Sequence, residues 1–171
     1  RDLGVRFLSG PSASGTSIGE IGPNDVVIMP AFGVPMESLE QFRKRGCVIV
    51  DTTCGSVMSV WKRVESYAKD GFTSVIHGKY DHEETRATCS RAGKYLVIKD
   101  RQQAGLVCEC ISRLTSSASA SPGDRRDLFF ATFHNACSAG FDPDTDLERI
   151  GFANQTTMLM RESIEISGML R

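Results

Sequence analysis

Short runs of β-branched and aliphatic residues alternate along the chain with longer stretches in which apolar positions recur every three or four residues. This is the sequence form of parallel strands covered by crossover helices, and it predicts an α/β fold. Residues 5–8 are a candidate first strand, followed by a Gly/Ser-rich stretch over 9–22. Residues 26–31 read as a strand, 36–45 as a helix closed by Gly46, and 47–51 as a strand. The strongest helical pattern follows, with Val57, Val60, Trp61, Val64, Tyr67 and Ala68 on one face. Thr52 and Thr53 offer hydroxyl caps to that helix. Beyond it the pattern predicts a strand over 73–77, a helix over 82–89, a strand over 95–98 and a helix over 101–114. Residues 116–123, rich in Ser and Ala with Pro122, read as a mobile loop. A helix over 124–139 ended by Gly140, a turn over 142–146, a strand over 149–153 and a helix over 158–170 complete the chain.

Composition narrows the function. The 171 residues are 40% hydrophobic and 24% charged, ordinary values for a globular protein. A chain of this size hides about 70% of its unfolded surface, so no metal or disulfide is needed merely to hold it together. Lys and Arg number 20 against 21 Asp and Glu, for a net charge of -1, and no basic stripe stands out. Nucleic acid is therefore excluded as an expected partner. The apolar run at 26–32 is broken by Pro30 and falls far short of the roughly 18 residues that span a bilayer, so no membrane segment is expected. Cys47, Cys54, Cys89, Cys108, Cys110 and Cys137 lack the dense spacing of a disulfide framework, which fits a reducing compartment. The first residue is Arg1 and the last still reads as helix, as expected of an internal piece of a longer protein.

In parallel α/β sheets, ligands gather at the carboxyl ends of strands, where helix N-termini present free N–H groups. The reactive polar side chains fall in segments that follow predicted strands: 31–33, 51–54, 77–85 and 154–157. Cys54 stands after a strand and at the start of the best helix, where the dipole favours a thiolate. It is a metal ligand, a nucleophile or a small buried hydrophobe. His77, Lys79, His82, Glu83 and Glu84 share one strand-end segment. They form either a solvated helix start or a site in which a histidine meets an anion and a carboxyl group delivers a proton. Asn154, Gln155, Thr156 and Thr157 offer donors that cradle a polar substrate or cap a helix. Three tempting motifs fail. Gly10 to Gly15 has phosphate-loop spacing but Thr16 in place of the lysine; Asp142, Asp144 and Asp146 begin like a calcium loop, but Leu147 replaces its glycine; Cys108 and Cys110 have the wrong spacing for zinc.

Three blocks of the sequence carry a resemblance. They are Asp51 to Cys54 (DTTC), Ile76 to Thr85 (IHGKYDHEET) and Phe141 to Met158 (FDPDTDLERIGFANQTTM). In order and spacing they resemble the 4-hydroxy-3-methylbut-2-enyl diphosphate reductases of the non-mevalonate isoprenoid route, in their plant and cyanobacterial branch. Two positions depart from the pattern. Phe32 stands where the bacterial branch has a diphosphate-binding histidine, and Gly55-Ser56 where the plant-like branch more often shows Pro-Trp.

The resemblance implies three α/β units around a central [4Fe-4S] cluster, with one cysteine ligand from each. On that reading residues 1–53 end the first unit, 54–171 form the second, and Cys54 is a cluster ligand. Two further cysteine ligands are expected outside this chain. It further implies His82 as diphosphate-binding, Glu84 as the proton-delivering acid, and Gln155 with Thr156 as a substrate-lining pair. The implied reaction is reductive dehydroxylation to isopentenyl and dimethylallyl diphosphates, with ferredoxin or flavodoxin as electron donor. The implied location is the plastid stroma in a eukaryote or the cytoplasm in a bacterium. The rival expectation is a non-catalytic α/β module that binds a phosphorylated metabolite through His82, Lys79 and Thr156, with Cys54 merely buried.

Overall fold

A computed structural model describes residues 4–8, 17–115 and 122–171. Its strands are β1 (Val26–Met29), β2 (Val48–Asp51), β3 (Thr73–His77), β4 (Lys94–Ile98) and β5 (Ile150–Asn154). Its α-helices are α1 (Met36–Arg45), α2 (Gly55–Lys69), α3 (Glu83–Cys89), α4 (Arg101–Thr115), α5 (Pro122–Phe133) and α6 (Met160–Met169). Every strand pairing is parallel, as the alternating pattern predicts: β1 with β2, and β3 between β4 and β5. The larger sheet is in register at its end, with His77 opposite both Ile98 and Asn154. The loops after its strands therefore emerge together along one edge.

Each sheet has its own core. Ile21, Val27, Phe42 and Cys47 pack under the small sheet, while Val64, Val75, Ile76, Leu96, Val107, Phe133 and Ile166 belong to a larger cluster around β3–β5. The strand β3 is buried along its whole length, as a central parallel strand must be. The helix α2 lies against β3 and β5 on the apolar face read from its sequence, with Val64 fully buried. Gly46 closes α1 in the left-handed region at φ 70°, and Arg43, Lys44 and Arg45 answer the helix dipole in the last turn. The opposite face of the small sheet is bare: Val26, Ile28, Val48 and Val50 are all exposed.

Four local expectations are corrected. Residues 5–8 form no strand; among the described residues the small sheet is only β1 and β2, and Val5 and Phe7 are exposed. Thr52 and Thr53 do not cap α2, because both hydroxyls are engaged behind it. Thr52 donates to the Met29 carbonyl, and Thr53 donates its N–H and hydroxyl to Asp51 Oδ1 at 2.9 and 2.6 Å. The residue at the cap is Cys54.

The third correction is that α5 starts at Pro122, a favoured first helical position, and stops at Phe133 instead of running to 139. Residues beyond it turn to cover the edge of β4, with Val97 N–H donating to Ala136 O (2.6 Å) and Ser138 N–H to Tyr95 O (3.0 Å). The fourth concerns the last helix, which begins at Met160 rather than 158. Of the loop expected over 116–123, residues 116–121 lie outside the described residues, as does the glycine-spaced motif at 10–15, while 122 and 123 open α5. Asp142 and Asp146 form the expected turn, tied down by Arg126 and Lys94.

Candidate functional site at the carboxyl edge of the strands

The chain leaves β2 at Asp51 and enters α2 at Gly55, so Cys54 is held at the junction. Its own N–H donates to the Ala31 carbonyl at 2.8 Å, which fastens it to the loop after β1. Its side chain is exposed. The N–H and hydroxyl of Ser56 and the N–H of Val57, pointing out of the first turn of α2, hold the thiol below its ordinary value; the Glu84 carboxylate works in the opposite direction. A cysteine at the head of a helix is thus a thiolate in waiting, and the charge of Glu84 reaches it.

After β3, His82 caps α3. Its Nδ1 accepts from the Glu84 N–H at 3.2 Å, so the lone pair faces the helix and the ring proton is assigned to Nε2. Glu84 is buried at 2% exposure, yet both its carboxyl oxygens are gripped by one residue. Oε1 accepts from the Thr156 N–H at 2.5 Å, and Oε2 accepts from the Thr156 hydroxyl at 2.9 Å. Thr156 comes from the loop after β5, so two strand ends meet here. Gln155 is buried beside it, with its Oε1 accepting from the Lys79 N–H and the Thr85 hydroxyl, both at 3.1 Å, and its Nε2 donating to Thr157 Oγ1 at 2.7 Å. None of Asn154, Gln155, Thr156 and Thr157 caps α6, whose N-cap is Leu159.

The fold thus brings Cys54, His82, Glu84, Gln155 and Thr156 to one edge and leaves other candidates out. His77 is fully buried within β3, where its Nδ1 lies 2.9 Å from Ser163 Oγ; its Nε2 has no hydrogen-bond partner and is 3.9 Å from Glu162. Burial pushes its pKa down. Lys79 is exposed and enters the network only through its backbone. Burial pushes the Cys89 thiol up to about 12 and raises those of Cys108 and Cys137, as suits packing cysteines. Among the described residues no three His, Cys, Asp or Glu side chains converge as a group able to hold a metal ion.

Of the residues that support the site, Arg91 carries no signal in the sequence pattern, whereas Trp61 lies on the apolar face read for α2, and Phe32 and Gly33 in the strand-end segment 31–33. The Arg91 guanidinium lies 3.4 Å from the centre of the Trp61 ring and donates to the carbonyls of Val34 (3.2 Å) and Ala87 (2.6 Å). It joins the loop after β1 to α2 and α3. Gly33 passes over the same indole; a Cβ there would stand 2.3 Å from it, and φ is 75°. Between these anchors Phe32 meets the His82 ring edge-on, with centroids 6.4 Å apart. The contacts span two sheets, and no local pattern encodes them.

Parallel α/β architecture with an exposed cysteine at a helix head and a gripped carboxyl group after the strands defines the class. The chain belongs to the LytB protein family, whose model matches residues 1–171. It is 48% identical over 167 residues to the 4-hydroxy-3-methylbut-2-enyl diphosphate reductase of Synechococcus sp. (strain WH7803), covering 97% of this chain and 39% of that protein. It is 50% identical over 146 residues to the same-named protein of Nostoc punctiforme, covering 85% and 34%. The chain therefore spans under two fifths of the length of these relatives. Among solved structures it resembles (E)-4-hydroxy-3-methyl-but-2-enyl diphosphate reductase, the terminal enzyme of the non-mevalonate pathway. The TM-score is 0.60 at 23% identity, over 88% of this chain and 42% of the other. The Plasmodium falciparum reductase gives 0.59 at 17% identity, over 90% and 38%. Both likenesses concern the fold.

Proposed function

We propose that the protein to which this chain belongs is an iron–sulfur reductase that removes the hydroxyl group of (E)-4-hydroxy-3-methylbut-2-enyl diphosphate. Two electrons and two protons give isopentenyl or dimethylallyl diphosphate and water. The observation that carries this reading is that Cys54, an exposed thiol lowered at the head of a helix, lies within electrostatic reach of Glu84, whose carboxyl group is fixed at both oxygens. Names borne by relatives 48–50% identical support it.

Cys54 fits one ligand position of a [4Fe-4S] cluster: it is exposed, and its thiol is lowered at the head of α2. Two further cysteines would come from residues outside this chain, and residues 1–53 and 54–171 would belong to two of three α/β units, a division in keeping with the separate sheets and cores. The cluster, when bound, supplies electrons delivered by a ferredoxin or flavodoxin and a Lewis-acidic iron. Glu84 donates a proton to the departing hydroxyl oxygen, and its anchorage to Thr156 fixes the direction of that donation. His82 donates Nε2–H to a diphosphate oxygen, since its other nitrogen is committed to the cap of α3. Thr156 lines the substrate side of the site, with Gln155 buried directly behind it.

The test is anaerobic expression of the complete protein. A brown preparation containing iron and sulfide, bleached by Cys54→Ser, is expected. Glu84→Gln should lower turnover by about 10²–10⁴-fold while leaving the cluster absorption intact. A colourless complete protein that binds inorganic diphosphate equally well with and without Cys54→Ser would overturn the reading in favour of a phosphate-binding module.

A further inference from the structure

Glu84 and Thr85 are neighbours on α3; Gln155 and Thr156 are neighbours after β5. Two bridges join the pairs. Glu84 is held by Thr156, and Thr85 by Gln155, with Thr85 Oγ1 3.1 Å from Gln155 Oε1. The first bridge borders the crevice, where Thr156 is half-buried. The second is sealed, with Thr85 0% and Gln155 4% exposed.

The amide oxygen of Gln155 is fully occupied within the protein, and one of the two N–H donors of the amide nitrogen is engaged. Its oxygen accepts twice, from the Lys79 N–H and the Thr85 hydroxyl, which fills both lone pairs, and its nitrogen donates to Thr157. Nothing larger than hydrogen fits against it on the β3 side, for a Cβ on Gly78 would lie 2.9 Å from Thr85 Oγ1 and 3.1 Å from Gln155 Cβ. The Gln155 N–H donates to the His77 carbonyl at 2.8 Å, which ties the backbone of the same residue to the end of β3.

We infer that Gln155 is a positioning residue, not a substrate contact: with Thr85 it clamps the loop after β3 to the loop after β5, and so sets where Thr156 holds the Glu84 carboxyl group. This deepens the proposed reductase reading and rests on it for its effect on turnover. The clamp itself is a property of the folded chain. In a low-dielectric interior a carboxyl group that must deliver a proton in one direction gains more from a rigid anchor than from an added substrate contact.

The test uses the complete, cluster-loaded protein and the two buried residues Thr85 and Gln155. Thr85→Val keeps the shape of the side chain and removes the hydroxyl; Thr85→Ser keeps the hydroxyl. Gln155→Met removes the amide. Thr85→Val and Gln155→Met are each expected to lower kcat by about ten- to a hundredfold with KM for the diphosphate substrate nearly unchanged. The double variant should be no worse than Gln155→Met alone, and Thr85→Ser should restore kcat.

Amide hydrogen exchange read on the same proteins should speed up over residues 78–85 and 155–158 and stay unchanged over β4. A Gln155→Met that raises KM, together with a silent Thr85→Val, would return Gln155 to the substrate and overturn the clamp. If wild-type protein holds no cluster and turns nothing over, while the exchange changes still appear together in the two variants, the clamp stands and the reductase reading falls. If exchange is the same in all variants, the clamp falls whatever the turnover.

Discussion

At the scale of single residues, the six cysteines are sorted by their surroundings. Cys54 alone combines exposure with a helix head that lowers the thiol, whereas Cys89, Cys108 and Cys137 are pushed upward by burial. Iodoacetamide at neutral pH is therefore expected to label Cys54 ahead of those three in cluster-free protein, read by peptide mass spectrometry. Equal labelling would contradict the assigned environments. Gly33 makes a second residue-scale expectation. It combines a left-handed φ of 75° with an indole 2.3 Å from where a Cβ would stand, so Gly33→Ala should cost about 1–3 kcal/mol in urea unfolding. Gly46, equally left-handed but with nothing within 4 Å of its Cβ position, should tolerate alanine better. Sequence reading reached Cys54, His82, Glu84, Gln155 and Thr156 because each follows a strand. It grouped His77 with them because a strand's last side chain points inward or outward according to a register the pattern alone does not set. The engagement of Gln155 was invisible for a similar reason, since its partners lie 70 and 76 residues away.

Among the elements, α6 depends on that buried histidine. His77 in β3 bonds Ser163 in the first turns of α6, and Glu162 stands nearby; Lys99 and Asp100, after β4, also face the ring. Burial lowers the folded value below 6.5, so the unfolded chain takes up the proton first as the solution is acidified. The contribution is fully present above about pH 6.5 and is lost as pH falls from there toward the lower folded value. Urea midpoints measured between pH 7.5 and 5.5 should decline, with a slope from this group of at most about 1.4 kcal/mol per pH unit, and His77→Gln should remove that part. An unaltered slope in the variant would place the pH dependence elsewhere. Helices and strands themselves were largely legible, α1 to the residue and β3 likewise, because their apolar spacing and end signals agree. The disagreements fall where tertiary bonds outbid local ones: Asp51 captures Thr53 before it can cap α2, and the edge of β4 draws residues 136–138 out of the helix expected there.

For the molecule as a whole, long-range anchors join the two sheets, among them Met36 N–H on Ser90 Oγ at 3.0 Å and Arg91 on the Val34 carbonyl. The site lies across that joint, so its geometry is a property of the pair of sheets rather than of either one. The apolar side of the small sheet has a practical outcome. Register sets Val26 beside Val48 and Ile28 beside Val50, so four aliphatic side chains form one flat, greasy tile in contact with water. Produced at these boundaries, the polypeptide should behave colloidally rather than ideally, its sedimentation coefficient climbing with concentration and its dye-detected hydrophobicity high. Ile28→Thr and Val48→Lys should quiet both signals.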